Sequence, residues 1–403
     1  MNIKPLDFFY IILLVSTLKS GACIAQNIRI LDDFGFENLV EKNENGSYIL
    51  FYENNLYRFE AYGVAKILNL LKIDDTTKSV TLVLLNKGIP ITEVNLAANL
   101  LNDFQKGELD VNQLLSQTQI SWTNRKLKDQ DVFTNSSYFK TDVNLRLSLN
   151  YKLGAFDNPI RQRLNVQPYI KTDLGKGFNF SSYYTIPQFN NLDQKEAQVG
   201  LLRVSNDFKL GAKRFLNVNY GFMDLDRYGI TMNYINFLYK DILRFNLNAG
   251  LTRSGRLDKN LILDDIRLEE FMMTINGDLT YRWNRYDLDV SFGYGSFLFE
   301  DLGFVFSVRR QMHEKTVGLF IKKTDLGDIV GFDFTIPLPV RKYNRKRPVR
   351  FKMYDQFRLP YNYRGGNRIA VNFYQGDNVV SEMRAFFPEI IRKGIRKAVR
   401  SRY

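Results

Sequence analysis

One cysteine and one histidine occur in 403 residues. A single cysteine excludes an intramolecular disulfide, and one histidine with no cysteine near it leaves no His/Cys cluster to hold zinc. Glycine-rich phosphate loops are also missing, since Gly365-Gly366 is an isolated turn. Beyond the first residues there is no apolar run long enough for a transmembrane helix, which excludes a helical membrane protein. Acidic residues are outnumbered, 43 against 56 Lys and Arg, giving a net charge of +13. That balance points to anionic partners such as lipid phosphates or acidic polymers.

What the chain has is alternation. From Asp142 to Tyr374, stretches of about ten residues alternate apolar and polar side chains between Asn, Asp, Gly and Lys turns. Tyr286-Asp287-Leu288-Asp289-Val290-Ser291-Phe292-Gly293-Tyr294 is the clearest, with one face aromatic and aliphatic and the other acidic, hydroxylic or bare. Val143, Leu145, Leu147, Leu149 and Tyr151 alternate likewise with Asn144, Arg146, Ser148, Asn150 and Lys152. Such segments read as strands between two different solvents. About 12–14 of them in succession predict a mainly β chain, an antiparallel outer-membrane β-barrel with one row facing lipid and the other a polar lumen. A soluble β-sandwich also alternates, but its strands are shorter and its outer row carries more charge. Aromatic residues make up 14% of the chain, as girdles at both membrane interfaces require. The mean hydropathy of −0.27 is uninformative for a chain in which only every second residue meets lipid.

The N-terminus fits the same address. Met1 to Lys4 is a positive n-region, Phe8 to Val15 an apolar h-region, and Gly21-Ala22-Cys23-Ile24-Ala25 a small-residue exit, so residues 1–25 read as a secretory signal. Cleavage after Ala25 is the expectation; acylation of Cys23 is the alternative, with Ser20 where a lipobox usually has Leu. A secreted chain also makes nucleic acid an unlikely partner for its basic charge.

Residues 26–117 have an α/β texture and predict a small periplasmic domain. Ser47 to Tyr52 and Val80 to Leu85 read as strands, Phe59 to Leu71 as a helix, and Thr92 through Phe104 as a further helix capped by Thr92. The barrel is expected over 118–376, with polar Ser121 to Ser137 as the passage into it and Arg368 to Tyr374 as its last strand. Pro339 to Pro348 interrupts the strands with a basic run. Residues 377–403 read as a basic periplasmic tail, whose helix from Pro388 lies on an anionic membrane surface, docks on a partner, or is simply solvated.

Chemistry is sparse. His313, in a turn beside Glu314, reads as a solvated surface residue and not as a general base. Asp264-Asp265, Glu269-Glu270 and the pair Asp287/Asp289, roughly 7 Å apart along one strand face, are the carboxylate pairs to weigh for glycoside hydrolysis or calcium. Such pairs are common in polar lumens, and no catalytic residue, metal site or cofactor is expected.

Gly35-Phe36-Glu37-Asn38, followed by Glu53-Asn54-Asn55-Leu56-Tyr57-Arg58, resembles the opening of the YjbH-like exopolysaccharide and capsule proteins, in which a GFEN turn precedes an EN-x-x-YR strand. Val317-Gly318-Leu319-Phe320 leading into Thr324-Asp325, then Gly331 to Leu338, and finally Arg368 to Tyr374 are similar to that family's carboxyl half. The resemblance covers nearly the whole mature chain. It implies an outer-membrane barrel with a periplasmic domain, taking part in exopolysaccharide or capsule assembly and export beside other export-machinery proteins, with no enzymatic site. Family members are often longer, with two barrel-like halves, and this chain has room for one. Taken with the alternation, it makes Arg146, Arg244, Arg282, Arg309 and Lys322, all on the polar row, candidates for guiding an anionic polysaccharide through the lumen. The alternative is that inward charges pair with Asp278, Asp287 and Asp289 in a filled lumen. A general porin and a rim enzyme acting on lipid or polysaccharide are the rival functions.

Overall fold

The computed structural model describes residues 26–153, 160–190, 197–223, 226–257, 263–264, 271–312, 314–338, 342–343, 348–354, 356–363, 369–372 and 379–400. The chain is mainly β and forms two compact units. The first comprises the N-terminal residues through Ser137, Lys342–Lys346 and Met383–Tyr403; the second comprises Tyr138–Arg341 and Arg347–Glu382.

The first unit is α/β. Helix α1 (26–34) precedes strands β1 (Glu37–Glu44) and β2 (Ser47–Glu53), helix α2 (Glu60–Leu70), and strands β3 (Ser79–Asn86) and β4 (Ile89–Ala97). Helices α3 (Ala98–Lys106) and α4 (Val111–Gln117) and strand β5 (Gln119–Trp122) follow. The sheet order is β1-β2-β3-β4-β5, antiparallel except for the parallel β2/β3 pair that α2 connects. Ile49, Phe51, Val83 and Leu85 bury one face under Leu127 and Phe133, while β2 and β3 are buried along nearly their whole length, as strands covered on both sides must be. Helix α4 starts in a capping box, Asp110 with Gln113.

The helix expected from Thr92 begins only at Ala98. Val94, Ala97, Ala98 and Leu101 do have helical spacing, but Thr92 to Ala97 also alternate, and pairing with β3 satisfies their backbone and buries Val94 and Leu96. Near the C-terminus come a short helix α5 (Val379–Ala385) and the basic helix α6 (Pro388–Arg400), and α6 packs within this unit. Its Ile390, Ile391, Ile395 and Ala398 are buried, Phe387 stacks edge-on against Trp122 at 6.0 Å, and the Arg392 guanidinium donates to the carbonyls of Leu115 and Thr118. Its apolar stripe is therefore occupied and is not available to a membrane surface.

The second unit is a fourteen-stranded sheet. Its strands are β6 (Thr141–Leu153), β7 (Ile160–Gly175), β8 (Phe178–Asn190), β9 (Gln198–Gly211), β10 (Arg214–Met223), β11 (Arg227–Leu238) and β12 (Leu243–Ser254). A two-stranded excursion, β13 (Arg256–Leu257) and β14 (Leu263–Asp264), precedes β15 (Met272–Trp283), β16 (Leu288–Ser296), β17 (Leu302–Met312), β18 (Lys315–Thr324) and β19 (Gly327–Pro337). The sheet ends with β20 (Val349–Met353) and β21 (Gln356–Tyr363). Each strand from β6 to β19, the excursion aside, pairs antiparallel with the next. The two edge strands are consecutive in sequence: β20 pairs parallel with β6 and β21 antiparallel with β19, with Tyr354 and Asp355 between them. Tyr354 N–H also donates to the Leu145 carbonyl at 3.1 Å.

The last strand expected over Arg368 to Tyr374 does not form in the part that is described. Its described part, 369–372, is turn and coil. Ile369, Ala370 and Val371 are consecutive apolar residues with no alternation to specify a strand face, and the backbone of Ala370 and Val371 bonds to Asp301, Lys322 and Leu298.

The sheet is inverted relative to a water-soluble protein. Along β15, Met273, Ile275, Leu279, Tyr281 and Trp283 are exposed while Thr274, Asn276, Thr280 and Arg282 are buried. Leu145 and Leu147, Ile230 and Met232, Phe292 and Tyr294, Phe304 and Phe306, and Leu319 and Ile321 repeat the pattern on other strands. Soluble proteins rarely leave contiguous apolar surface of this extent bare.

Candidate functional site

The polar face of the sheet is where the candidate residues converge, because period-2 alternation sends every second side chain there. Amides, joined to Arg203 and Asp207, fill one sector. Arg203 donates to Ser181 Oγ at 2.9 Å and Asn219 Oδ1 at 3.0 Å, Asn219 to Asn217 at 2.6 Å, and Asn217 to Asp207 at 2.6 Å. Asn233 donates to Asn248 and Asn248 to Asn276, so a ladder of amides crosses β11, β12 and β15.

A charged ladder fills another sector. Arg282 donates to Asp289 at 2.9 Å and to Asp287 at 3.3 Å. Register places Asp289 opposite Arg309 and Gly318 between Arg309 and Asp333. Arg309 reaches Asp333 at 3.6 Å, and Arg358 donates to the same carboxylate at 2.6 and 3.0 Å. Gly318 makes this possible, since a Cβ there would stand 2.2 Å from Asp333 Oδ1 and 2.9 Å from Arg309 Cγ. Positive and negative side chains thus alternate from β15 to β21. At the β6/β20 seam the buried Arg350 forks onto Asp142, with Nε to Oδ1 at 2.9 Å. A fork to one carboxylate fixes geometry as well as charge.

All five predicted cations lie on this face. Arg282 pairs with Asp289, which stands opposite Arg309 in register, and Arg244 and Lys322 lie within electrostatic reach of Arg309. Arg146 sits between the rings of Tyr183 and Tyr354, at 5.7 and 5.4 Å. Arg244 donates to Thr280 Oγ1 at 3.1 Å, and Lys322 to the Ala370 carbonyl at 3.1 Å. Of the predicted acidic partners, Asp287 and Asp289 take Arg282, whereas Asp278 accepts from Asn246, Thr280 and Ser291. Asp287 is a turn residue with φ of 51° and not a strand position. Sequence reading missed Asp333, Arg358, Asp142, Arg350 and Asp301. The first four share the parity of the polar row and were legible as such; Asp301 lies in a loop and gave no periodic signal.

The Gly35-to-Asn38 and Glu53-to-Arg58 motifs form a separate buried lattice in the α/β unit. Glu53 accepts from the N–H groups of Lys87 and Gly88, both at 2.9 Å, and from the Asn38 amide; Asn38 Oδ1 accepts from Ser137 N–H at 2.9 Å; Asn55 donates to Glu37 at 2.6 Å. Glu37 and Asn38 are fully buried, and Asn38 adopts φ of 51° to make these bonds. Nearby, burial pushes Glu60 well above the carboxylate range, with the Asn54 hydrogen bond lowering it and the Glu53 charge raising it. On the sheet's edge strand, burial pushes Glu41 up to about 7 against the hydrogen bond from Tyr48 that lowers it. The hydrogen bonds of Glu37, Asn38, Glu53 and Asn55 tie both motifs into the fold of the α/β unit.

Among the described residues no group of three or more His, Cys, Asp or Glu side chains is placed to hold a metal ion, and no helix is long and apolar enough to cross a membrane. His313, residues 1–25 with Cys23, Asp265, Glu269 and Glu270 lie outside the described residues, as does the side chain of Asp264. No protein-family model and no curated protein matches the chain.

Proposed function

We propose that this chain is an outer-membrane β-barrel protein with a periplasmic α/β module, acting without catalysis in exopolysaccharide or capsule assembly and export. The inverted sheet carries the membrane part of the reading. An apolar outer row and a hydrogen-bonded polar inner row are what a strand between lipid and a polar interior requires. Closure is supported by the split last strand, since β20 and β21 offer pairing to both edges of the sheet. We count β20 and β21 as one stave, the thirteenth after the twelve strands from β6 to β19. An odd number makes the first and last staves parallel, as β6 and β20 are. That replaces the even number usual for single-chain bacterial barrels.

The polysaccharide part rests on the family resemblance and on the basic balance of the chain. The partners are then lipid, an anionic polysaccharide and other proteins of the export machinery, and nucleic acid is not among them. Because Arg282 and Arg309 already face carboxylates, an assembly or anchoring role fits better than a freely open polyanion conduit.

The test is surface polysaccharide in a deletion strain complemented with the wild-type chain. Loss of polymer on deletion and its return on complementation is the expected result. Normal polymer in the deletion strain would refute the export role and favour a porin.

A further inference from the structure

The five-residue loop after β16 and the segment after β21 meet on the polar face of the sheet, at the end marked by the β18/β19 turn. All four residues of Ile369–Asn372 are held there. Ile369 is buried with Phe297, Phe320 and Ile329. Ala370 N–H donates to Asp301 Oδ2 at 2.6 Å, and its carbonyl accepts from Lys322 Nζ at 3.1 Å. The Val371 carbonyl accepts from Leu298 N–H at 3.0 Å, and its side chain packs with Met223 and Leu298. Asn372 exchanges amide hydrogen bonds with Asn276 at 2.8 and 3.0 Å. Asp301 is fully buried, and its other oxygen accepts from Leu326 N–H at 3.1 Å, so one carboxylate ties the β16/β17 loop, the β18/β19 turn and this segment together.

The contacts reach from β10 through β15 to β19, which a segment lying on one strand would not do. Further along, Glu382 pairs with Lys171 at 3.2 Å, on the polar face of β7 and close to the β7/β8 turn at the opposite end of the strands. The same stretch of chain is therefore fastened to the polar face near both ends.

We propose that Ile369–Asn372 is a built-in stopper for one mouth of the barrel, held by Asp301, Lys322 and Asn276, and that the barrel passes nothing until this segment is displaced. The proposal rests on the barrel reading above and specifies its regulation. It recasts Lys322, a candidate for guiding a polyanion, as a clamp on the chain's own backbone.

The experiment is KCl conductance of the purified full chain in planar lipid bilayers, with heat-modifiable migration scored on the same preparation. The wild type should insert and stay at the lipid baseline, while Asp301→Ala/Asn276→Ala should insert and conduct at least about tenfold above it. A wild type that inserts and shows steady large conductance, or a folded double variant that stays at baseline, overturns the stopper. A wild type that neither inserts nor shows heat-modifiable migration overturns the barrel itself, which is a separate result. Should the double variant misfold, Leu298→Cys/Val371→Cys decides. A 298–371 disulfide found by peptide mapping of the membrane-inserted protein supports docking, and its absence under oxidant refutes it.

Discussion

Leu319→Arg separates a lipid-facing strand from a water-facing one. Leu319 is the midpoint of β18, flanked in register by Val308 and Phe332, and it is 61% exposed, so little protein packing is lost when it changes. Were that surface in water, the substitution would move stability by no more than about 0.5 kcal/mol. At the bilayer midplane an arginine on the outer row of a barrel costs about 2–4 kcal/mol, or roughly 30- to 800-fold in the folding equilibrium. Leu302, the first residue of β17 and 42% exposed, lies near an interface and should lose only about 0–1 kcal/mol as Leu302→Arg. The assay is urea titration of the chain refolded into vesicles, read by heat-modifiable migration. Equal, small costs at both positions would refute the reasoning, because the depth gradient is what lipid imposes and water does not.

Three other outcomes follow from particular contacts. Asp289→Ala removes the nearer carboxylate from the buried Arg282 guanidinium, leaving it Asp287 at 3.3 Å and Asn284 Oδ1 at 3.2 Å among its partners, and should cost about 1.5–3 kcal/mol in the same titration; Arg282→Met/Asp289→Leu should recover most of the loss, and no recovery would deny the ion pair its place in the ledger of that sector. Gly394→Val should loosen helix α6, because a Cβ at Gly394 would stand 2.4 Å from the Cβ of Ala61, and an overpacked contact costs about 1–3 kcal/mol; unchanged protease resistance of residues 388–400 would contradict it. Glu41 binds its proton more tightly folded than unfolded, with a carboxyl near 7 against an ordinary 4.5, so the α/β unit should lose stability as pH rises from about 4.5 to about 7. The full shift corresponds to about 3.4 kcal/mol, which partial solvent access reduces to about 1–2 kcal/mol; Glu41→Gln should flatten that slope in hydrogen exchange of the β1 and β2 amides, and an unchanged slope would assign it elsewhere.

The sheet was legible because alternation is a covalent fact. Once Leu279 and Tyr281 point one way, Thr280 and Arg282 must point the other, whatever the surroundings. The same parity placed Arg146, Arg244, Arg282, Arg309 and Lys322 on one face. Their partners were less legible, since register alone brings Asp289 opposite Arg309 and leaves Gly318 as the gap through which Arg309 meets Asp333. Two readings failed for a common reason: local pattern competes with long-range pairing. Thr92 to Ala97 satisfied helix and strand periods alike, and β3 decided between them; Ile369 to Asn372 looked like strand, yet Asp301, distant in sequence, claims its backbone. The assignment of helix α6 to the α/β unit was beyond reach, because nothing in an amphipathic helix names the surface it will cover.

The chain supplies its own probe of the central claim. It has two tryptophans: Trp283 is half exposed on the outer row at the end of β15, edge-on to Tyr286 at 4.8 Å, and Trp122 is buried in the α/β unit against Phe387. With Trp122→Phe to isolate it, Trp283 in vesicles of brominated phosphatidylcholine should be strongly quenched by the lipid and poorly quenched by aqueous acrylamide. Strong acrylamide quenching with no effect of brominated lipid would put the apolar face of the sheet in water and contradict the account.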